Sequence, residues 1–117
     1  MSQHHKDILL KGNAAIAAEN YEGFLDLCTD DTEWNFISDT VLRGKDAVRK
    51  WMEKNYVEPP VVVVDQLVSE GDFLVAIGTV TMKDENGEPI DYSYSDVWEF
   101  RGDKLARLKA FVIPKTS

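Results

Sequence analysis

The sequence predicts a single α+β domain in which three helices cover one face of a curved antiparallel sheet. Three observations lead there. Hydrophobic residues recur at helical spacing in the first half of the chain and at period two from Val61 onward. Glycine-bearing turn signals at Glu70-Gly71-Asp72, Asn86-Gly87 and Arg101-Gly102-Asp103 divide the second half into a meander. The 117 residues contain no repeat, low-complexity tract or linker, which makes 1–117 one domain. The expected order is α-α-β-α-β-β-β-β.

Helix one is expected from about Gln3 to Glu19, with Ile8, Leu9 and Ile16 on its apolar side and a small, strongly helix-forming run at Ala14-Ala15-Ile16-Ala17-Ala18. Asn20 can cap a second helix, whose stripe is Tyr21, Phe24, Leu25 and Cys28 and which Thr29-Asp30-Asp31 should end. Thr32 to Ile37 reads as a short strand and Ser38 to Arg43 as a loop. Gly44 opens a third helix. Asp46 stands in its first turn, where the dipole favours an acid, and Val48, Trp51, Met52 and Tyr56 form its stripe. Pro59-Pro60 closes it, since proline cannot continue a helix.

The four remaining strands are expected at about 61–70, 73–83, 90–100 and 104–113. A sheet of this kind must bury one face against the helices. Strongly twisted and bent, it forms a cone that the helices close, leaving room for a conical pocket at the wide end.

Composition narrows the function. Lys+Arg is 13 and Asp+Glu is 21, so the formal charge is −8, which offers no general footprint for nucleic acid or anionic membranes. Lys45, Arg49, Lys50 and Lys54 are most simply the solvated face of helix three. A single cysteine allows no internal disulfide and no Cys-based zinc site; Cys28, on an apolar stripe, reads as an inert buried thiol. His4 and His5 adjoin near the terminus, where they are expected to be frayed and exposed, with no third metal ligand at readable spacing. There is no phosphate loop, nucleophile elbow or dinucleotide fingerprint, and no cofactor is expected. The start, MSQHHKDILLKG, lacks the apolar run of a signal peptide, and no stretch reaches the length of a membrane span. The cytoplasm is the expected location.

The strand around residue 96 carries the most informative anomaly. Side chains alternate along it, so Tyr92, Tyr94, Asp96, Trp98 and Phe100 share one face, while Asp91, Ser93, Ser95, Val97 and Glu99 share the other. Asp96 therefore stands among four aromatics on the face expected to point inward. A carboxylate in apolar surroundings either finds hydrogen-bond donors or takes up a proton. Two readings follow. Asp96 is a structural acid bonded to a neighbouring side chain or amide, or it is a ligand-facing acid or hydrogen-bond donor, with Tyr94 as a second donor. On the flanking strands, Phe73, Val75, Ile77, Thr79 and Thr81 share one face and Leu108, Ala110 and Val112 share another. A pocket walled by Phe36, Trp51, Trp98, Leu108, Ala110 and Val112, with Thr79 and Thr81 as polar points, has the usual make-up of a small-molecule site; Trp34 is an alternative wall. The same residues also describe a plain core.

Three segments, NYEGFLDLCTDDTEWNF, VLRGKDAVRKWM and YSDVWEFRGDKLARLKAFVI, resemble in this order the nuclear transport factor 2-like superfamily, in its SnoaL-like branch of polyketide cyclases and ketosteroid isomerases. The resemblance covers nearly the whole chain. It implies a cystatin-like α+β barrel with a conical pocket and a homodimer formed across the outer sheet face. Asp96 falls where the ketosteroid isomerases place a carboxyl kept neutral by its apolar site. Their helix-one tyrosine falls on Gly12, and their catalytic aspartate falls on Phe36 or, across a gap, on Asp39. Steroid isomerisation by that constellation is therefore not expected.

The leading expectation is a pocket for a small apolar or aromatic molecule, with proton transfer next to a carbonyl and Asp96 as acid or donor. The alternatives are a non-catalytic binding module and a dimeric scaffold using the outer sheet. Val61-Val62-Val63-Val64 is read either as an interface edge or as an ordinary buried strand.

Overall fold

The structure, a computed structural model, describes residues 2–56 and 58–115. Its elements are α1 (Ser2–Ala17), α2 (Tyr21–Leu25), β1 (Cys28–Phe36), β2 (Thr40–Arg43), α3 (Lys45–Asn55), β3 (Val61–Glu70), β4 (Phe73–Lys83), β5 (Pro89–Arg101) and β6 (Lys104–Pro114). The four meander strands fall where the turn signals put them. The first half departs from expectation at three points, each with a physical cause.

First, α2 is one short helix rather than a run to Cys28. Asn20 caps it as predicted, its side chain accepting from the Gly23 amide at 3.0 Å. The chain then leaves the helix because the Leu105 amide of β6 captures the Leu27 carbonyl at 2.8 Å. The apolar spacing Tyr21, Phe24, Leu25, Cys28 thus straddles a helix and the start of a strand. Thr29-Asp30-Asp31 belongs to β1, where Asp31 meets Arg101 at 3.1 Å.

Second, the segment read as a loop contains β2. It pairs antiparallel with β1, Trp34 opposite Leu42 and Phe36 opposite Thr40. The reversal between them puts Ser38 at φ 66°, a conformation usually advertised by glycine or asparagine, so the turn carries no signal in the sequence. The order is therefore α-α-β-β-α-β-β-β-β.

Third, the sheet is not wholly antiparallel. Its strand order is β2-β1-β6-β5-β4-β3, and β1 runs parallel to β6 while every other pair is antiparallel. The sheet is open, with β2 and β3 as its edges, and the helices close the curl.

The core lies between the helices and the inner sheet face. Leu9 and Ile16 of α1, Phe24 and Leu25 of α2, and Val48 and Met52 of α3 pack with Trp34, Leu74, Trp98, Phe100, Leu105 and Leu108 of the sheet. The start of α1 is docked rather than frayed. His4, on the exposed side, meets Asp103 at 3.1 Å. His5 is buried, stacked on Phe100 with ring centres 4.0 Å apart, and its Nε2 donates to the Gly102 carbonyl at 3.2 Å. The expectation of an exposed His5 fails because the β5–β6 turn folds back onto the helix, a contact 97 residues away in sequence. The Val61–Val64 run is not an ordinary buried strand either. It lies on edge strand β3, with Val61 62% and Val63 49% exposed.

Candidate functional site

The register of the sheet creates a hollow at Asp96. On β5, Asp96 pairs with Ala76 of β4 on one side and Ala110 of β6 on the other. Two residues further along, Trp98 is flanked by Leu74 and Leu108. Small neighbours leave space beside the acid, and large ones floor it. The resulting cavity of about 110 Å³ is partly open. Its volume is below the ~150 Å³ of an apolar cavity that accepts benzene, so the enclosed part holds no more than about one small ring.

Aromatic side chains from β1, β5 and the helices form a continuous part of the wall, and aliphatic side chains form most of the rest. The Phe36 and Trp51 rings stack at 4.8 Å, and Trp51 meets Tyr56 edge-on at 5.3 Å. Trp34 stands at the centre, its ring 6.1 Å from Trp51 and 6.0 Å from Trp98. Edge-to-face pairs of this kind add stability beyond the area they bury and hold the wall rigid.

Asp96 is the acid of this cavity. Its Oδ1 is shut off from solvent and has no hydrogen-bond partner in the protein. Burial without a compensating donor disfavours the charged form, and the carboxyl is pushed up to about 7. It can therefore hold or release a proton near neutrality. Burial, followed by the charges of Asp96 and Asp65, pushes the Tyr94 hydroxyl up to about 12. Burial and the charge of Asp96 also raise Tyr56. Both tyrosines thus stay protonated at neutral pH and remain hydrogen-bond donors. A second buried polar atom of the cavity wall, Trp34 Nε1, likewise has no protein partner.

Of the residues singled out in the sequence, Phe36, Trp51, Tyr94, Asp96, Trp98, Leu108, Ala110 and Val112 all line this cavity. Thr79 and Thr81 do not, and their assignment is corrected. Antiparallel pairing puts Ala76 and Gly78 of β4 opposite Asp96 and Tyr94, so the even-numbered residues of β4 face inward. Val80 and Met82 supply its wall, while Thr81 lies outside and donates to Asp91 Oδ1 at 2.7 Å. Both faces of β4 carry apolar residues, so alternation alone left the phase undetermined.

Two polar wall residues escaped the sequence reading. Asn13 of α1 follows Leu9 and precedes Ile16 at i, i+4, i+7, and this position on an apolar stripe is the signal that identifies it. Tyr56, read only as part of an apolar stripe, is the C-cap of α3 and brings its ring into the cavity. Gly12 has no room for a larger side chain, since an added Cβ would sit 2.9 Å from Phe24 Cδ1. Asp39 is exposed in the β1–β2 turn, away from the cavity. Cys28 is buried, and burial pushes its thiol up to about 12, which fits an inert role. Among the described residues no group of three His, Cys, Asp or Glu side chains is placed to hold a metal ion, and no helix is long and apolar enough to cross a membrane.

The model of the SnoaL-like domain matches residues 11–108. The chain belongs to the SnoaL-like domain family. Solved structures share its fold at low identity. A candidate SnoaL-like polyketide cyclase from Jannaschia sp. CCS1 superposes with a TM-score of 0.85 at 14% identity, covering 96% of this chain and 87% of that one. A candidate hydroxylase, AclR from Streptomyces galilaeus, gives 0.81 at 15%, covering 97% and 81%. TerC, co-crystallised with polyporic acid, gives 0.80 at 16%, covering 92% and 90%. No curated protein matches the chain. This SnoaL-like domain thus has the nuclear transport factor 2-like α+β architecture of its structural neighbours, with the cavity between helices and sheet.

Proposed function

We propose that this SnoaL-like domain binds a small, largely apolar molecule beside Asp96 and promotes proton transfer next to a carbonyl group. The observation that carries the reading is Asp96 Oδ1, buried without a protein partner at a gap between two alanines in a largely apolar wall. Protonated, Asp96 donates a hydrogen bond to the carbonyl oxygen of the ligand. That bond withdraws charge and makes the neighbouring C–H more acidic. As the α-proton leaves to water at the open side, Asp96 passes its own proton to the carbonyl oxygen, giving the enol and the Asp96 carboxylate, which then takes a proton back from the hydronium formed. Tyr94 supplies a second donor from the same strand face. The SnoaL-like domain match and two structural neighbours, a candidate SnoaL-like polyketide cyclase and TerC co-crystallised with polyporic acid, support a small-molecule ligand.

The test is deuterium exchange at the α-carbon of small ketones, followed by proton NMR, together with calorimetric binding. The native protein should accelerate exchange, and Asp96→Asn should lose the acceleration while still binding ketone. Saturable binding with no exchange in the native protein would leave a non-catalytic carrier. Unchanged binding and exchange in the variant would remove Asp96 from the site.

A second reading concerns assembly. We propose that two copies pair through the outer sheet face. Phe111 and Ile77, 41% and 37% exposed, flank the small Ser95 across three strands, and Val61, Val63, Val68, Phe73 and Ile113 extend this apolar surface. A reducing compartment keeps the lone Cys28 a thiol, and the cytoplasm is the setting we propose.

A further inference from the structure

Trp34 lies on β1, paired with Leu42 of β2 and Leu108 of β6, and is 4% exposed. It packs edge-on against Phe24, Phe36, Trp51 and Trp98, so its ring is held from several sides. Its Nε1–H is buried and meets no acceptor in the protein. An indole N–H can only donate, and leaving a buried donor unpaired is costly. Apart from this atom and Asp96 Oδ1, the buried orphans among the described residues are His5 Nδ1, Thr29 Oγ1 and Ser69 Oγ, none of which lines the cavity. Two residues that line one small apolar hollow therefore each carry a buried polar atom without a protein partner.

We infer that the Trp34 indole N–H is a further hydrogen-bond donor of the cavity, beside Asp96 and Tyr94, and that the ligand is a neutral one-ring molecule with acceptor oxygen, a ketone or quinone. This inference rests on the ligand-binding reading of the same cavity. Among the described residues the wall contains no Lys, Arg or His, so a carboxylate or phosphate would meet Asp96 with no counter-charge. An ammonium ligand would satisfy Asp96 but, having only N–H donors, would leave the indole unpaired. A plain hydrocarbon would leave both groups unpaired. Only an acceptor-bearing neutral molecule satisfies Trp34, and the same carbonyl chemistry satisfies a protonated Asp96.

The experiment compares acetophenone with α-methylstyrene, which replaces the carbonyl oxygen by a methylene of nearly the same shape. Benzylamine serves as the cationic probe. In the native protein acetophenone should bind roughly tenfold more tightly than α-methylstyrene. In Trp34→Phe that preference should shrink severalfold, whereas a merely structural loss would weaken both probes together. Should the variant fail to fold, the native protein still answers through ¹⁵N NMR of its three tryptophan indoles. The Trp34 indole N–H, assigned by elimination with Trp51→Phe and Trp98→Phe, should move downfield with acetophenone and stay put with α-methylstyrene. Equal binding of the two probes with an unmoved indole signal would overturn the role of Trp34 and leave the cavity reading intact. Tighter binding of benzylamine than acetophenone would overturn the ligand class. If none of the three binds, the cavity reading falls and this inference with it.

Discussion

Asp96 and Ala110 face each other directly across the β5–β6 pairing, and the space Ala110 leaves is the space the carboxyl looks into. Ala76 repeats the arrangement on the other flank. The site is thus made as much by two missing side chains as by the acid.

Filling that space should abolish binding. Ala110→Leu adds three carbons to a residue that is 4% exposed and lines the cavity. Calorimetry with acetophenone should show no saturable heat. Thermal melting should show a cost of about 1–3 kcal/mol from overpacking, with the fold retained. Undiminished binding would place the ligand elsewhere.

Asp96 should make the protein less stable as pH rises. Its pKa is raised from 3.8 to about 7 in the folded state, so the folded form holds its proton more tightly than the unfolded form. The stabilisation is complete below pH 3.8 and is lost as pH climbs through about 7. The shift of about 3 units corresponds to at most ~4 kcal/mol between those limits. Glu22, Asp31 and Asp46, held below their ordinary range by Arg49, Arg101 and Lys50, act in the opposite direction at acid pH. Urea unfolding of the native protein and Asp96→Asn at pH 5 and pH 8 isolates the effect, since those groups are common to both. The variant should gain relative stability at pH 8; a difference independent of pH would contradict the raised pKa.

Thr79→Val should leave ketone binding within experimental error, because Thr79 lies on the outer face of β4 and outside the cavity wall. Val80→Thr, on the inner face, should weaken binding by placing a hydroxyl in the apolar wall. Titration of the two variants side by side checks the phase of β4.

The paired variant Ile77→Glu with Phe111→Glu places like charges on either side of Ser95 on the outer face. Sedimentation velocity should show the native protein as a dimer and the variant as a monomer that still binds ketone. A native monomer at micromolar concentration would end the assembly proposal.

His5→Ala removes the stacking on Phe100 and the bond to the Gly102 carbonyl. Urea unfolding should report a loss of about 1–3 kcal/mol. Hydrogen exchange should show the first turns of α1 opening before the sheet.

Much of the cavity is legible in the sequence. Alternation along β5 placed Asp96 with Tyr94 and Trp98, and alternation along β6 placed Leu108, Ala110 and Val112 together, because each strand has one face with a distinct chemical character. The strand β4 was not legible in this way, since Val75 and Ile77 on one face are as apolar as Ala76 and Val80 on the other. The short strand β2 was hidden by a turn at Ser38 that lacks the residues turns usually use. Asn13 and Tyr56 were visible as residues on helical stripes, but a stripe does not say which of its members face a void.

By itself the chain's residue order determined the four-strand meander, the helix caps at Asn20 and Gly44, and the single acid on an aromatic strand face. These depend on local dihedral preferences and on side-chain periodicity, which neighbouring residues set. Only the tertiary structure decided which face of β4 turns inward, that β1 lies parallel beside β6, that His5 is buried, and that two alanines flank Asp96. Those are matters of register between segments far apart in sequence, and register is chosen by the packing energy of the assembled sheet and helices rather than by any one segment.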